Sequence, residues 1–244
     1  RDSIAVRREG AAQLALVGPP NVGKSSLLQA LSEIRIKTGD YPFTTLRPVP
    51  ALTRVGGVLV QLVEIPGLIA GASEDRGGGR ALLGVLRSVD AIVYCVRADA
   101  DPAELEVVRA EVALAGIDKP AFVAATRADE ATAGGVERIR RAFPDLEVLV
   151  VSVLDDASVQ AFADAAWRLT GLIRILLRRN GTTDDEPLAL QPGSTVKDVA
   201  DAVHHDLAAA FSGARVWGPS ARFDGQRVGR DHRVQDGDVI EILA

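Results

Sequence analysis

The sequence predicts an α/β protein in two parts: a mostly parallel sheet with helices on both faces, then a small α+β domain. Short apolar runs rich in Val, Ile and Leu alternate with amphipathic ones through the first two thirds of the chain, and the rhythm changes after Leu169. A length of 244 residues with 47% apolar content leaves room for one large domain, or for one medium and one small.

Taken in order, strands are expected over residues 13–17 (QLALV), 58–65, 91–96, 121–125 and 147–151. Helical patterns lie between or after them at 24–33, 80–88, 103–115, 136–142 and 158–169. Alternation of this kind implies right-handed crossovers, and ligands then bind at the carboxyl ends of the strands. Beyond residue 169, the stretch 172–178 alternates as a strand and NGTTDDE reads as a turn. Residues 187–190 form a return strand, Ser194 or Thr195 caps a helix running through His204, and DGDVIEIL closes the chain as a turn plus a strand. The boundary falls near Thr170–Gly171, giving domains 1–171 and 172–244. No internal repeat or low-complexity segment interrupts them.

Composition excludes several classes. No apolar run approaches the ~18 residues of a membrane span, so none is expected. Arg7 and Arg8 ahead of AAQLALVG faintly resemble a signal peptide, but that stretch runs into a glycine–lysine loop rather than a cleavage site. The net charge is −5, with 19 Lys and Arg against 22 acids through residue 171 and 9 against 11 after it. Neither part is basic, which argues against a broad nucleic-acid footprint, and DNA is not an expected partner. Cys95, the only cysteine, sits inside AIVYCV and reads as a small core residue in a reducing compartment, which points to the cytoplasm. The chain has no methionine, even at position 1, so Arg1 is expected to be a trimmed start with a segment missing upstream.

The chemistry begins at GPPNVGKSS, residues 18–26. It fits G-x-x-x-x-G-K-[ST] and follows a strand and opens a helix, which is the context this phosphate-binding motif requires. Gly18 and Gly23 let the backbone turn its N–H groups inward as an anion cradle. Lys24 is placed to reach β- and γ-phosphates and Ser25 to ligate Mg²⁺. Downstream, YPFTTLRP (41–48) lies in a polar connection where a switch loop would carry a Thr to the metal. EIPGL (64–68) closes an apolar strand, so Glu64 can hold Mg²⁺ through water and the Gly67 N–H can sense a γ-phosphate. TRAD (126–129) ends a later strand, where Asp129 can accept both N1–H and N2–H₂ of guanine. Ser152 ends the last strand of the sheet, placed to meet the base from its other side.

In that order and spacing the motifs resemble the five boxes of a translation-factor-type GTPase. The likeness narrows to the Obg/DRG family through YPFTTLRP, IPGLIAGASEDRGGGR and the tail ARVWGPS…DGQRVG…VQDGDVIEI, which resembles its ubiquitin-like TGS domain. The resemblance implies a P-loop GTPase domain followed by a β-grasp TGS module, with GTP or GDP and Mg²⁺ as cofactors. By position it implies a nucleotide site made of Gly18, Pro19, Pro20, Asn21, Val22, Gly23, Lys24, Ser25 and Ser26, then Phe43, Thr44 and Thr45. Glu64, Gly67, Thr126, Arg127, Asp129, Ser152 and Val153 complete it. Ser25, Thr45 and Glu64 are the implied metal ligands, and Lys24, Thr45, Gly67 and Asn21 the implied catalytic set. It further implies a ribosome, RNA or translation-factor partner taken by the TGS domain.

Three departures from the family pattern stand out. Glu64 replaces the usual Asp and is one methylene longer. Thr126 and Arg127 replace the Asn-Lys of the base-reading box, although Asp129, which rejects adenine, is kept. The amino-terminal region that precedes the first strand in family members is nearly absent. Position 68 is Leu rather than a water-orienting Gln, which implies slow intrinsic turnover. Two readings of Asn21 stay open: a holder of K⁺ near the transferred phosphate, or a loop residue tolerating an unusual turn. Other residues read as ordinary first: His204 and His205 as solvated or half-packed rather than metal ligands, Arg76 and Arg80 as part of a mobile solvated loop ahead of catalytic or partner-contacting arginines, and Trp217 as core ahead of a partner anchor. Three functions therefore compete: a slow GTPase switch, a GTP/GDP-sensing adaptor with negligible hydrolysis, and an ATP-preferring TGS-bearing relative.

Overall fold

The computed structural model describes residues 6–32, 34–35, 47–68, 70–203 and 211–243. The chain divides into two compact units between Thr170 and Gly171, with Gly56–Val58 grouping with the second. In the first unit, seven strands form one sheet: β1 (Gln13–Val17), β2 (Ile34–Arg35), β3 (Val49–Val55), β4 (Val58–Glu64), β5 (Ala91–Arg97), β6 (Ala121–Thr126) and β7 (Val148–Val150). Its helices are α1 (Lys24–Leu31), α2 (Gly79–Ser88), α3 (Ala103–Leu114), α4 (Gly135–Ala142) and α5 (Asp156–Thr170).

The strand order is β2-β3-β4-β1-β5-β6-β7. β1 pairs in parallel with both β4 and β5, and β5, β6 and β7 continue in parallel. All five residues of β1 are buried, as a central strand covered on both faces requires. Sequence order reverses on either side of β1, so the loop leaving its carboxyl end opens at the topological switch point, where an α/β sheet takes its ligand. The core on one side joins Val63, Ile65, Leu82, Leu86, Ile92, Val108, Phe143 and their neighbours.

The second unit holds β8 (Ile173–Arg179), β9 (Thr182–Thr183), β10 (Leu188–Leu190), α6 (Val196–Val203), β11 (Gly213–Trp217), β12 (Gln226–Val228) and β13 (Val239–Leu243). The order β10-β8-β13-β11-β12 carries a parallel β8–β13 pair with antiparallel neighbours. Val196, Val199 and Ala200 of α6 pack on Ile175, Leu177, Ala214, Val216 and Ile240 from one face of that sheet. Thr195 caps α6 reciprocally: its N–H and hydroxyl donate to Asp198 at 2.7 and 2.9 Å, and the Asp198 N–H returns to its hydroxyl.

The structure adds strands where none was expected, at β2, β3, β9, β11 and β12. Trp217 is also corrected: Ala214 and Val216 take the core face of β11, so the half-buried Trp217 lies on the opposite face under the Arg178 guanidinium, 4.4 Å from its ring centre. The core tryptophan is Trp167. His204 and His205 lie outside the described residues. Among the described residues no helix is long and apolar enough to cross a membrane.

Candidate nucleotide-binding site

The loop from Gly18 to Gly23 joins the end of β1 to α1. Gly18 has no room for a side chain, because a Cβ there would collide with the carbonyl oxygen of Cys95 on β5. Asn21 and Gly23 take left-handed φ values of 61° and 94°, which turn the chain into the first turn of α1. A Cβ at Gly67 would stand 2.7 Å from the Pro20 ring, so the tip of β4 lies directly against this loop. Lys24 is only 4% exposed, and its ammonium donates to the carbonyls of Gly18 at 3.1 Å and Pro19 at 2.7 Å. Burial pushes its pKa down from the usual value, with the Glu64 carboxylate among the charges working against that shift. A phosphate fits this cradle by offering the buried cation the charge it otherwise draws from two carbonyls.

Ser25 and Glu64, two of the expected metal ligands, meet directly: the Ser25 hydroxyl donates to Glu64 Oε1 at 2.7 Å. That is the length of an ordinary hydrogen bond from a hydroxyl to a carboxylate, and among the described residues no cluster of three or more His, Cys, Asp or Glu side chains could hold a metal ion. Thr45, with Phe43 and Thr44, lies outside the described residues. Leu68 is 3% exposed and packed into the sheet–helix core, so the position after Gly67 presents no side chain to solvent. Cys95 is fully buried and its thiol is pushed up to about 12 by that burial.

On the base side, Asp129 sits in a one-turn helix at the end of β6, exposed, and accepts a 2.6 Å hydrogen bond from the Ser152 hydroxyl. Ser152 is itself tied by its amide and carbonyl to the Ser158 hydroxyl. The structure thus brings these two predicted residues together, with Val153 exposed beside them. Thr126 is 4% exposed and points elsewhere: its hydroxyl proton serves the carbonyl of Val22 in the phosphate loop and that of Val96. It holds the base-reading turn to the phosphate loop and presents no group to a base. Arg127, at φ 52°, lays its stem beside Gly23 and reaches Glu130 at 3.7 Å. Arg76 and Arg80, expected in a loop, are exposed on helical turns instead: Arg76 opens the second of two short 3₁₀ turns, Ala72–Glu74 and Arg76–Gly78, and Arg80 lies in the first turn of α2.

One residue escaped the sequence reading. Glu111 on α3 is 7% exposed, and its two carboxylate oxygens accept from the backbone N–H groups of Gly71 at 2.7 Å and Ser73 at 2.8 Å. These amides, that of Ser73 foremost, hold its carboxyl below the usual carboxylate range. The signal that could have found it is a carboxylate on the buried stripe of α3, in register with Leu105, Val108 and Val112.

A family model described as "50S ribosome-binding GTPase" matches residues 13–127, and one described as "TGS domain" matches residues 173–244. Fold and site together define a P-loop GTPase domain joined to a TGS domain. An uncharacterized GTP-binding protein of Halobacterium salinarum is 30% identical over 315 residues, which cover 98% of this chain and 85% of that protein. The developmentally-regulated GTP-binding protein 2 homolog of Dictyostelium discoideum is 25% identical over 99% of this chain and 85% of its own length. The chain belongs to the Obg/DRG family of GTP-binding proteins. The Halobacterium alignment is longer than the 244 residues of this chain, so that relative carries additional residues within the aligned span. Among solved structures, the YchF GTPase of Schizosaccharomyces pombe superposes with a TM-score of 0.62 at 14% identity, covering 97% of this chain and 98% of that one. A GTP-binding protein from Pyrococcus horikoshii gives 0.59 at 17% identity, covering 95% and 99%. Both share the fold.

Proposed function

We propose that this chain is a slow GTP-hydrolysing switch of the cytoplasm, acting in a ribosome-associated process through an RNA-bearing partner of its TGS domain. The residues of 18–26 hold the phosphates, Asp129 and Ser152 take the guanine edge, and Arg127 lines the approach beside Gly23. Ser25, Glu64 and Thr45 hold Mg²⁺, which when bound neutralises charge on the β- and γ-phosphates. Gly67 supplies a backbone N–H for the terminal phosphate, and Asn21 a place for K⁺ beside the phosphate loop. The observation that carries the slow rate is Leu68: with that side chain sunk in the core, nothing at its position orients an attacking water. The pairing of Asp129 with Ser152 favours guanine over the ATP-preferring reading.

The partner is supported by charge placement. The TGS unit is acidic as a whole, yet its strands carry Arg174, Arg178, Arg179, Arg215 and Arg227 against Glu241 alone. Arg215 pairs across the sheet with Glu241 on one side and Arg227 on the other, and both arginines are exposed. Arginines beside the half-buried Trp217 suit a phosphate backbone with unstacked bases.

A titration tests the site. Lys24→Ala should lose measurable GTP and GDP affinity while its thermal melt stays cooperative, and unchanged affinity would overturn the site. Hydrolysis by the parent chain should run below about one turnover per second and rise in K⁺ over Na⁺ at matched ionic strength. Asn21→Ala should erase that difference with little change in GTP affinity. A rate undetectable in both salts would favour the non-hydrolysing adaptor, and ATP bound as well as GTP would refute the guanine assignment.

A further inference from the structure

The segment that begins at Gly67 is held at two points. At Gly67 it lies against Pro20 of the phosphate loop, and at Gly71 and Ser73 both backbone N–H groups end on the Glu111 carboxylate. Four residues of chain span at most about 14 Å, so Gly67 and Gly71 stay within that reach of each other. Ala72, between the two bonded amides, is 1% exposed, and Gly79 at the start of α2 touches it so closely that a Cβ there would clash. Glu111 is 7% exposed, and its charge is met by these two amides, by the Ser73 side chain and, at longer range, by Arg76. Pulling the segment away would break both bonds to the charged carboxylate together, and each is stronger than a hydrogen bond between neutral groups. Such a contact tends to be either made or broken.

We propose that Glu111 is the positioning residue for terminal-phosphate sensing: it fixes Gly71–Ser73 so that Gly67 is presented to the γ-phosphate, and it makes α3 the element that registers which nucleotide is bound. This rests on the nucleotide site proposed above. A GTP-bound form gains from the arrangement because the Gly67 N–H is aimed before the phosphate arrives. A GDP-bound form lacks the phosphate and gains nothing from it. The effect of Glu111 is therefore differential between the two nucleotides.

The test uses the full chain with GDP and a non-hydrolysable GTP analogue. Glu111→Gln keeps the shape but sets an amide N–H₂ against one of the two backbone donors. It should leave GDP affinity within about twofold, weaken the analogue about tenfold, and speed amide exchange at Gly71 and Ser73. Glu111→Asp keeps the charge on a shorter reach, and should give an intermediate loss even if the Gln variant folds poorly. Equal loss of both nucleotides, or faster exchange with an unchanged affinity ratio, would overturn the proposal and leave Glu111 a structural tie. A parent chain that binds neither nucleotide would overturn the underlying site, a failure visible before any variant is made.

Discussion

Thr126 illustrates how a residue's place can be legible while its task is not. Its position at the end of β6, beside Asp129, follows from a strand of apolar residues ending in TRAD. Nothing in that string says that its hydroxyl turns back on the Val22 carbonyl, because the partner lies 104 positions earlier. The cradle itself was readable because its residues are contiguous and their spacing encodes the loop, whereas Glu111 acts on amides about 40 positions away and carries no motif. Thr126→Val removes the hydroxyl at nearly constant volume and leaves the Val22 carbonyl without that donor. It should cost about 1–3 kcal/mol, lowering both the melting temperature and GDP affinity. A variant with parental values in calorimetry and titration would show that the tie contributes nothing.

At the scale of elements, among the described residues the first five α-helices were visible as helical patterns, α6 from its cap, and the buried parallel strands as apolar runs; the short 3₁₀ turns were not. The strands that escaped are short or interrupted. β3 carries Pro50 and Arg54 within seven residues, β11 opens on a glycine, and β12 has three residues with an arginine at its centre. Their pairing is fixed by partners rather than by their own composition. The cap of α6 was readable and yields a pH prediction. The Thr195 backbone N–H, with its hydroxyl, holds the Asp198 carboxyl below the usual range. A lowered folded-state pKa means a contribution present above the ordinary carboxylate pKa of about 3.9 and lost as the pH falls through the folded value. Asp198→Asn should therefore lower the melting temperature of the TGS unit at pH 7, and the gap from the parent should close towards pH 3. A gap that stays constant over that range would remove the carboxylate from the cap.

For the molecule as a whole, the proposed RNA partner raises the question of where an acidic protein would meet a polyanion. Net charge answers poorly, because the acids of the TGS unit lie mainly on loops and on α6 while its arginines cluster on strands. Among the described residues Arg215 and Arg227 enter no ion pair, so their charge is available. Replacing both with Glu should weaken binding of a single-stranded RNA to the full chain at least tenfold and flatten its salt dependence by about two counterions. GDP affinity should not change. Retained RNA affinity in anisotropy titrations would move the partner surface elsewhere.

The bond from Thr126 to Val22 also has a meaning in time. The phosphate loop is synthesised early, and the hydroxyl that anchors it follows 104 residues later. At roughly 5–20 residues per second, that is a delay of about 5–20 seconds. Asp129 must wait longer still, for the Ser152 hydroxyl. A growing chain therefore carries the lysine loop without its anchor for that interval, and this tie, like the bond between Ser152 and Asp129, forms only towards the end of synthesis of the first unit.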